Sequence, residues 1–319
     1  MTRDWSAVAD VLMSQLTEHY LHPDVAERIC ARIRSADYRD LVDEREFADA
    51  VTEDMQSVNG DLHLFVRYSE EELTEESTVD ESPLRADQAV LTGHGFAKVE
   101  RLPGNIALLD IRKFYDPTVA GAGAAAIAAM HLVAGADALV LDLRNNRGGE
   151  PEMNALVSGF LFDERTHLVD LYFPAADRTL QYWTDSFVPG PIFGGTKPIY
   201  VLIGGRTISG GEGMAFQLQQ SKRATLIGET TAGAGNFHYP LRLTARLLSA
   251  IPSGYPVDPV SGGRWEGVGV LPDIAVPPEQ AFDVGYRLSL EHVLGLGEEG
   301  ARRQVAEDAR TALTRLRGR

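Results

Sequence analysis

In the stretch GGRTISGGEGMAF, residues 204 to 216, Ser209 stands ahead of two glycines where a helical pattern begins. A serine placed there can act as a nucleophile, attacking a carbonyl once a base has taken its proton. It can equally be a helix cap, because its oxygen can accept from an orphan N–H of the first turn and Glu212, three residues on, completes an S-x-x-E capping box. A second group lies in LVLDLRNNRGG, where an apolar strand pattern ends in polar residues followed by Gly148 and Gly149. Bare backbone at that point can turn N–H groups toward a developing oxyanion, or simply make a tight turn. The N–H of Gly210 would lie beside the serine oxygen at a helix N-terminus, a place that favours negative charge. Third, Glu266 follows Trp265 in GGRWEGVGVLPDIAV. Its carboxylate is either partly desolvated by the indole or an ordinary surface charge.

The hydrophobic pattern indicates which elements must position these groups. Trp5, Val8, Leu12 and Leu16 recur at helical spacing, Pro23 opens a second helix, and DEREFADAVTEDMQSV reads as a third. Residues 1–68 are therefore expected to form a small helical domain. The run SEEELTEESTVDES carries seven acidic residues and no basic one, and places a solvated linker over residues 69–87. Beyond it come short apolar runs, IALLDI, ALVLDLR, PIYVLIGG and ATLIGET, of the kind that belongs to strands covered on both faces. They alternate with helical stretches, so residues 88–295 read as an α/β core. Residues 296–319 mix charges at helical spacing and predict an exposed or partner-facing C-terminal helix.

With 319 residues, 44% of them hydrophobic, the chain can bury a full core. A formal net charge of −16 argues against nucleic acid and anionic membranes as partners. The N-terminus lacks the basic start and unbroken apolar run of a secretory signal, and no window has the length of a membrane span. A cytoplasmic protein is the expectation. Cys30, the single cysteine, falls in an apolar helical pattern and reads as a small buried hydrophobe. The histidines are scattered and no H-E-x-x-H occurs, so no metal and no cofactor is expected.

Four motifs in order, DLRNNRGG, T-I-S-G-G-E, LIGETTAGAGN and WEGVGVLPDIAV, resemble the tail-specific, or C-terminal-processing, serine peptidase family over most of residues 88–285. The resemblance implies a crotonase-like (ClpP/crotonase) ββα-spiral core, Ser209 as nucleophile, and an oxyanion hole from Gly148 or Gly149 together with Gly210. One departure stands out. Members with a serine–lysine dyad carry the lysine in the glycine turn where this chain has Ala234, and none of its four lysines, Lys98, Lys113, Lys197 and Lys222, falls in a comparable place. Another base is needed, and His63 in VNGDLHLFVRY follows a glycine turn and starts a strand-like segment. The tricorn-like branch uses a histidine ahead of the core and a glutamate before a G-V-x-P-D-like stretch, which implies Ser209, His63 and Glu266 as the catalytic set. Leu62 stands where that branch has a serine. His238, four residues beyond Ala234, is the alternative base.

The helical start and WEGVGV also resemble modules of the interphotoreceptor retinoid-binding protein, which share the core and bind apolar ligands. The stretch between His63 and the first core strand, about forty residues, is too short for a PDZ domain of roughly ninety. The leading expectation is a serine hydrolase acting on a peptide or small acyl substrate. Its alternatives are a non-hydrolytic binding protein for an apolar small molecule, and a repurposed core catalysing a non-proteolytic step. Tyr182, Trp183 and Phe187 either line a substrate pocket or pack their own loop, and a homo-oligomer would be in keeping with the resemblance.

Overall fold

The three helices expected at the N-terminus form as α1 (Ser6–His19), α2 (Pro23–Ser35) and α3 (Glu44–Asn59) in a computed structural model that describes residues 4–70, 72–73, 83–185 and 187–318. Each turns one apolar stripe inward: Leu12 and Leu16 from α1, Ile29 and Ile33 from α2, Phe47, Val51 and Met55 from α3. Pro23 sits in the first turn of α2, where its missing N–H costs nothing. Cys30 is free and buried among these side chains. The Asp43 side chain accepts from the N–H groups of Arg45 and Glu46, both at 2.9 Å, and α3 stops at Gly60 with φ 73°. Asp43→Ala should therefore cost about 1 kcal/mol, read as a lower urea midpoint with unchanged slope.

These helices do not stand alone. The chain divides into two compact units, and the first comprises residues 1–82, 170–180 and 236–257. Its sheet pairs β1 (Phe65–Tyr68) antiparallel with β10 (Leu247–Val257), which also pairs with β9 (Phe237–Arg242). Leu243, Leu247 and Ile251 close the helical core. The first unit thus borrows strands from well inside the stretch read as the core. Their prolines conceal them: β10 carries Pro252 and Pro256 and breaks register between Pro252 and Gly254.

The second unit holds residues 83–169, 181–235 and 258–319. Its sheet runs β11 (Ile274–Ala275), β8 (Thr225–Gly228), β7 (Ile199–Ile203), β4 (Ala138–Asp142), β3 (Ile106–Ile111), β2 (Phe96–Leu102), parallel except for the β2–β3 pair. Side chains alternate between two cores. Leu109, Leu141 and Val201 face the cluster containing α5 (Ala122–Ala134), α6 (Pro151–Gly159) and α7 (Gly210–Gln220), whereas Leu108, Val140 and Leu202 face α8 (Pro278–Gly295) and α9 (Arg302–Arg317). Burial on both faces is why these strands read as unbroken apolar runs. The architecture is mixed α/β. A hairpin of β5 (His167–Phe173) and β6 (Arg178–Trp183) leaves the second unit and returns to it.

Two boundary expectations change. Most of the acidic run lies outside the described residues, and α4 (Pro83–Leu91) begins within the stretch read as linker. The C-terminal helix is not exposed all round: Ala306 is buried, and Ala309, Ala312 and Leu313 are buried in the core on the α8 side of the sheet. Among the described residues no helix is long and apolar enough to cross a membrane.

Candidate active site

The candidate residues divide between the two units. In the second, Ser209 immediately precedes α7, on the loop leaving β7 at the C-terminal edge of the parallel sheet, the edge where open α/β sheets place their ligands. Its backbone has φ 56° and ψ −122°. An ordinary N-cap has extended dihedrals. Ser209 instead has those of the first central residue of a type II′ turn, a position that glycine normally fills. Two of the other non-glycine residues with positive φ, His94 (φ 55°, ψ 29°) and Asp177 (φ 43°, ψ 49°), lie in the common left-handed region. Holding a β-carbon where Ser209 has it costs on the order of 1–3 kcal/mol. Capping alone does not require that cost.

The expected capping box forms, with Glu212 supplying its carboxylate half by accepting from the Ser209 N–H at 2.8 Å. Wholly buried, it also accepts from Thr231 Oγ1 at 2.5 Å, Gly233 N–H at 2.6 Å and Ala234 N–H at 2.9 Å. Burial pushes its pKa above the usual carboxylate value against the pull of these four donors.

The glycine pair lies against this turn. A β-carbon on Gly148 would come within 2.7 Å of Ser209 Cβ and 2.9 Å of the Ile208 carbonyl, and one on Gly149 would overlap the Phe114 carbonyl. Both have positive φ, 75° and 128°. Gly210 meets Gly149 just as closely, its would-be β-carbon falling 2.5 Å from the Gly149 carbonyl oxygen and 3.1 Å from its nitrogen. Close backbone approach is the reason for glycine at all three positions. The Gly148 N–H is taken, donating to Asn146 Oδ1 at 2.8 Å, while those of Gly149 and Gly210 have no hydrogen-bond partner among the described residues. Two neighbouring free amides beside a hydroxyl can receive a developing oxyanion. Gly148→Ala should lose on the order of 2–3 kcal/mol from the left-handed dihedral and the clash together, seen as a lower denaturation midpoint.

Two asparagines hold this arrangement. Buried Asn146 donates through Nδ2 to the Ile111 carbonyl at 2.9 Å, and its own carbonyl accepts from the Ile208 N–H at 3.1 Å. Asn154 on α6 donates to the Gly210 carbonyl at 2.8 Å. Sequence reasoning passed over both; the only trace is the paired asparagine ahead of the glycines in NNRGG.

Glu266 accepts from the Gly235 N–H at 2.5 Å, so it is held by the same turn that holds Glu212. That turn is laced to the Glu266 loop by Thr231 N–H to the Val270 carbonyl, Val270 N–H to Thr231 Oγ1, and Gly267 N–H to the Gly233 carbonyl. Ala234, in the place of the missing lysine, is fully buried.

Tyr182 and Trp183 are consecutive on β6 and so project to opposite faces of the strand. Tyr182 donates to Glu152 at 2.9 Å, whereas Trp183 stacks on His167 at 4.2 Å with the Arg165 guanidinium 4.7 Å from its ring. Phe187 is 82% exposed. The structure does not gather these three side chains into one pocket wall.

The first unit carries the histidines. His63 is buried, its N–H donating to Asp61 Oδ1 at 3.0 Å, and its ring lies 5.5 Å from that of His238. Asp61, also buried, accepts at Oδ2 from the Tyr20 hydroxyl at 3.0 Å and from Asn236 Nδ2 at 3.3 Å. Asn59 donates to that same hydroxyl at 2.6 Å. Burial pulls the His63 pKa below the ordinary 6.5, with Asp61 opposing, and so favours the neutral ring. Half-buried His238 packs edge-on to Phe65 at 5.4 Å. Asp61 escaped the sequence reading although D-L-H places it two residues from the histidine.

Stretches of the chain are similar to known proteins. The model for peptidase family S41 matches residues 105–276, and one for the N-terminal domain of peptidase S41 in eukaryotic IRBP matches residues 2–97. A carboxyl-terminal-processing protease of Picosynechococcus sp. is 30% identical over 162 residues, 48% of this chain and 34% of that protein, so the match spans about a third of the relative's length. Among solved structures, a lipoprotein from Streptococcus agalactiae aligns with a TM-score of 0.62 at 16% identity, covering 89% of this chain and 96% of the other. The photosystem II D1 C-terminal processing protease aligns with a TM-score of 0.54 at 16% identity, covering 86% and 94%. At such identities the likeness concerns the fold.

Proposed function

The chain belongs to peptidase family S41, and on that footing we propose that it is a serine peptidase in which Ser209 attacks the carbonyl of a peptide substrate. The observation that carries this reading is the backbone of Ser209. Its strained dihedrals raise the hydroxyl at the start of α7 beside two amides without partners among the described residues, and a cap would need neither feature. Gly149 and Gly210 are the proposed oxyanion donors, since Asn146 occupies the N–H of Gly148.

In the proposed reaction an imidazole takes the Ser209 proton as the oxygen adds to the carbonyl carbon. The tetrahedral oxyanion collapses, the C–N bond breaks, and the imidazolium returns the proton to the leaving amine. Water then repeats the sequence on the acyl-enzyme. His63 is assigned the base because the resemblance implies it, and because burial favours the neutral ring, the form able to accept a proton. Glu266 is assigned the carboxylate that stabilises the imidazolium, supported by its fixed position on the Gly235 amide. A crotonase-like core agrees with the parallel sheet and its helices.

The reading is tested by incubating the protein with a fluorophosphonate and locating the adduct by mass spectrometry of peptides. One adduct, on Ser209, is expected. An unlabelled protein that retains a co-purified apolar small molecule would instead support a binding protein.

A further inference from the structure

We infer that Glu212 is a positioning residue whose buried carboxylate holds the Ser209 backbone in its strained conformation and, through its three other bonds, fixes the turn whose Gly235 amide anchors Glu266. The inference rests on the reading of Ser209 as nucleophile.

A capping box requires one bond from this side chain, the one to the Ser209 N–H. Glu212 makes three more, and their distribution is what matters. Oε2 is shared between Ser209 N–H at 2.8 Å and Ala234 N–H at 2.9 Å, so a single oxygen joins the nucleophile's backbone to the turn across from it. Oε1 takes Thr231 Oγ1 at 2.5 Å and Gly233 N–H at 2.6 Å. The next amide along, Gly235, donates to Glu266. Three successive N–H groups are thus divided between two carboxylates, so displacing the first displaces the mount of the second. The Ala232 N–H to Thr207 carbonyl bond, 3.0 Å, ties the same turn to the other side of the Ser209 loop.

Only a carboxylate satisfies this set. Three of the four donors are backbone N–H groups that cannot reverse their role, and both oxygens receive at least one of them. A glutamine would set its NH₂ against an N–H whichever way it was flipped. Among the described residues no salt bridge reaches Glu212, and what opposes its burial is the four donors alone.

The test compares wild type, Glu212→Gln and Thr231→Val in reaction with a fluorophosphonate. The saturating inactivation rate and the half-saturating concentration are measured separately, and folding is followed by circular dichroism. The saturating rate should fall about 10- to 100-fold for Glu212→Gln and about 3- to 10-fold for Thr231→Val, the half-saturating concentration staying within about twofold of wild type. That split separates misplacement of the hydroxyl from loss of binding. Should Glu212→Gln fail to fold, Thr231→Val decides by the same split. A folded variant reacting at the wild-type rate, or one changed only in half-saturation, overturns the positioning role alone. A wild-type protein that never reacts overturns the nucleophile and this inference with it.

Discussion

Ser209→Ala is expected to lower turnover of a peptide substrate by roughly 10⁴-fold or more while leaving the protein folded. The substitution removes one oxygen and keeps the β-carbon, so the strained backbone and the neighbouring amides of Gly149 and Gly210 persist. Whatever rate remains is what the oxyanion donors and binding supply without a nucleophile. Ser209→Gly sharpens the result. Glycine accepts φ 56° and ψ −122° without steric cost, so this variant should be about 1 kcal/mol more stable than Ser209→Ala and just as inactive. Turnover of a fluorogenic peptide and urea denaturation of both variants provide the check. Activity within about tenfold of wild type in Ser209→Ala would remove the serine from the mechanism.

His63→Ala should cost about 10²- to 10⁴-fold in kcat/KM, the range for loss of a general base. His238→Ala should cost far less; the opposite order would make His238 the base. The pH profile tests the same assignment. A base must be neutral, and burial lowers the His63 pKa below 6.5, so the acid limb of kcat/KM should have its midpoint under the ordinary histidine value. Stability is linked to the same group. Between the lowered native value and 6.5 the unfolded chain binds the proton more readily than the folded one, so stability rises with pH across that window. It is lost as pH falls from 6.5 through the native pKa. In His63→Gln that part of the pH dependence should vanish from the denaturation midpoint, and a wild-type midpoint flat below pH 6.5 would contradict the burial.

Much of the second unit is legible in the residue order because its signals are local. Strands buried on both faces must be apolar throughout, and β3, β4, β7 and β8 all fall within the predicted runs. Glycines at 148, 149 and 210 announce close backbone contact, and S-x-x-E announces the start of α7. The first unit hides more. Its sheet comes from three separated stretches, and prolines in β9 and β10 speak against strands in a local reading, although edges and bulges tolerate them. The Asp61 network spans 175 residues between Asp61 and Asn236, a pairing with no local signature.

Side-chain chemistry and hydrophobic period, both properties of neighbouring residues, thus settled the membership in an α/β class, the helical front end and the set of groups able to react. Only the folded chain decided how those groups are held. The unusual dihedrals of the Ser209 cap, the engagement of Gly148 and the freedom of Gly149, the four donors on Glu212 and the burial of His63 all arise from contacts made across the chain. Such contacts depend on where distant backbone comes to rest, and the order of residues along one segment does not carry that information.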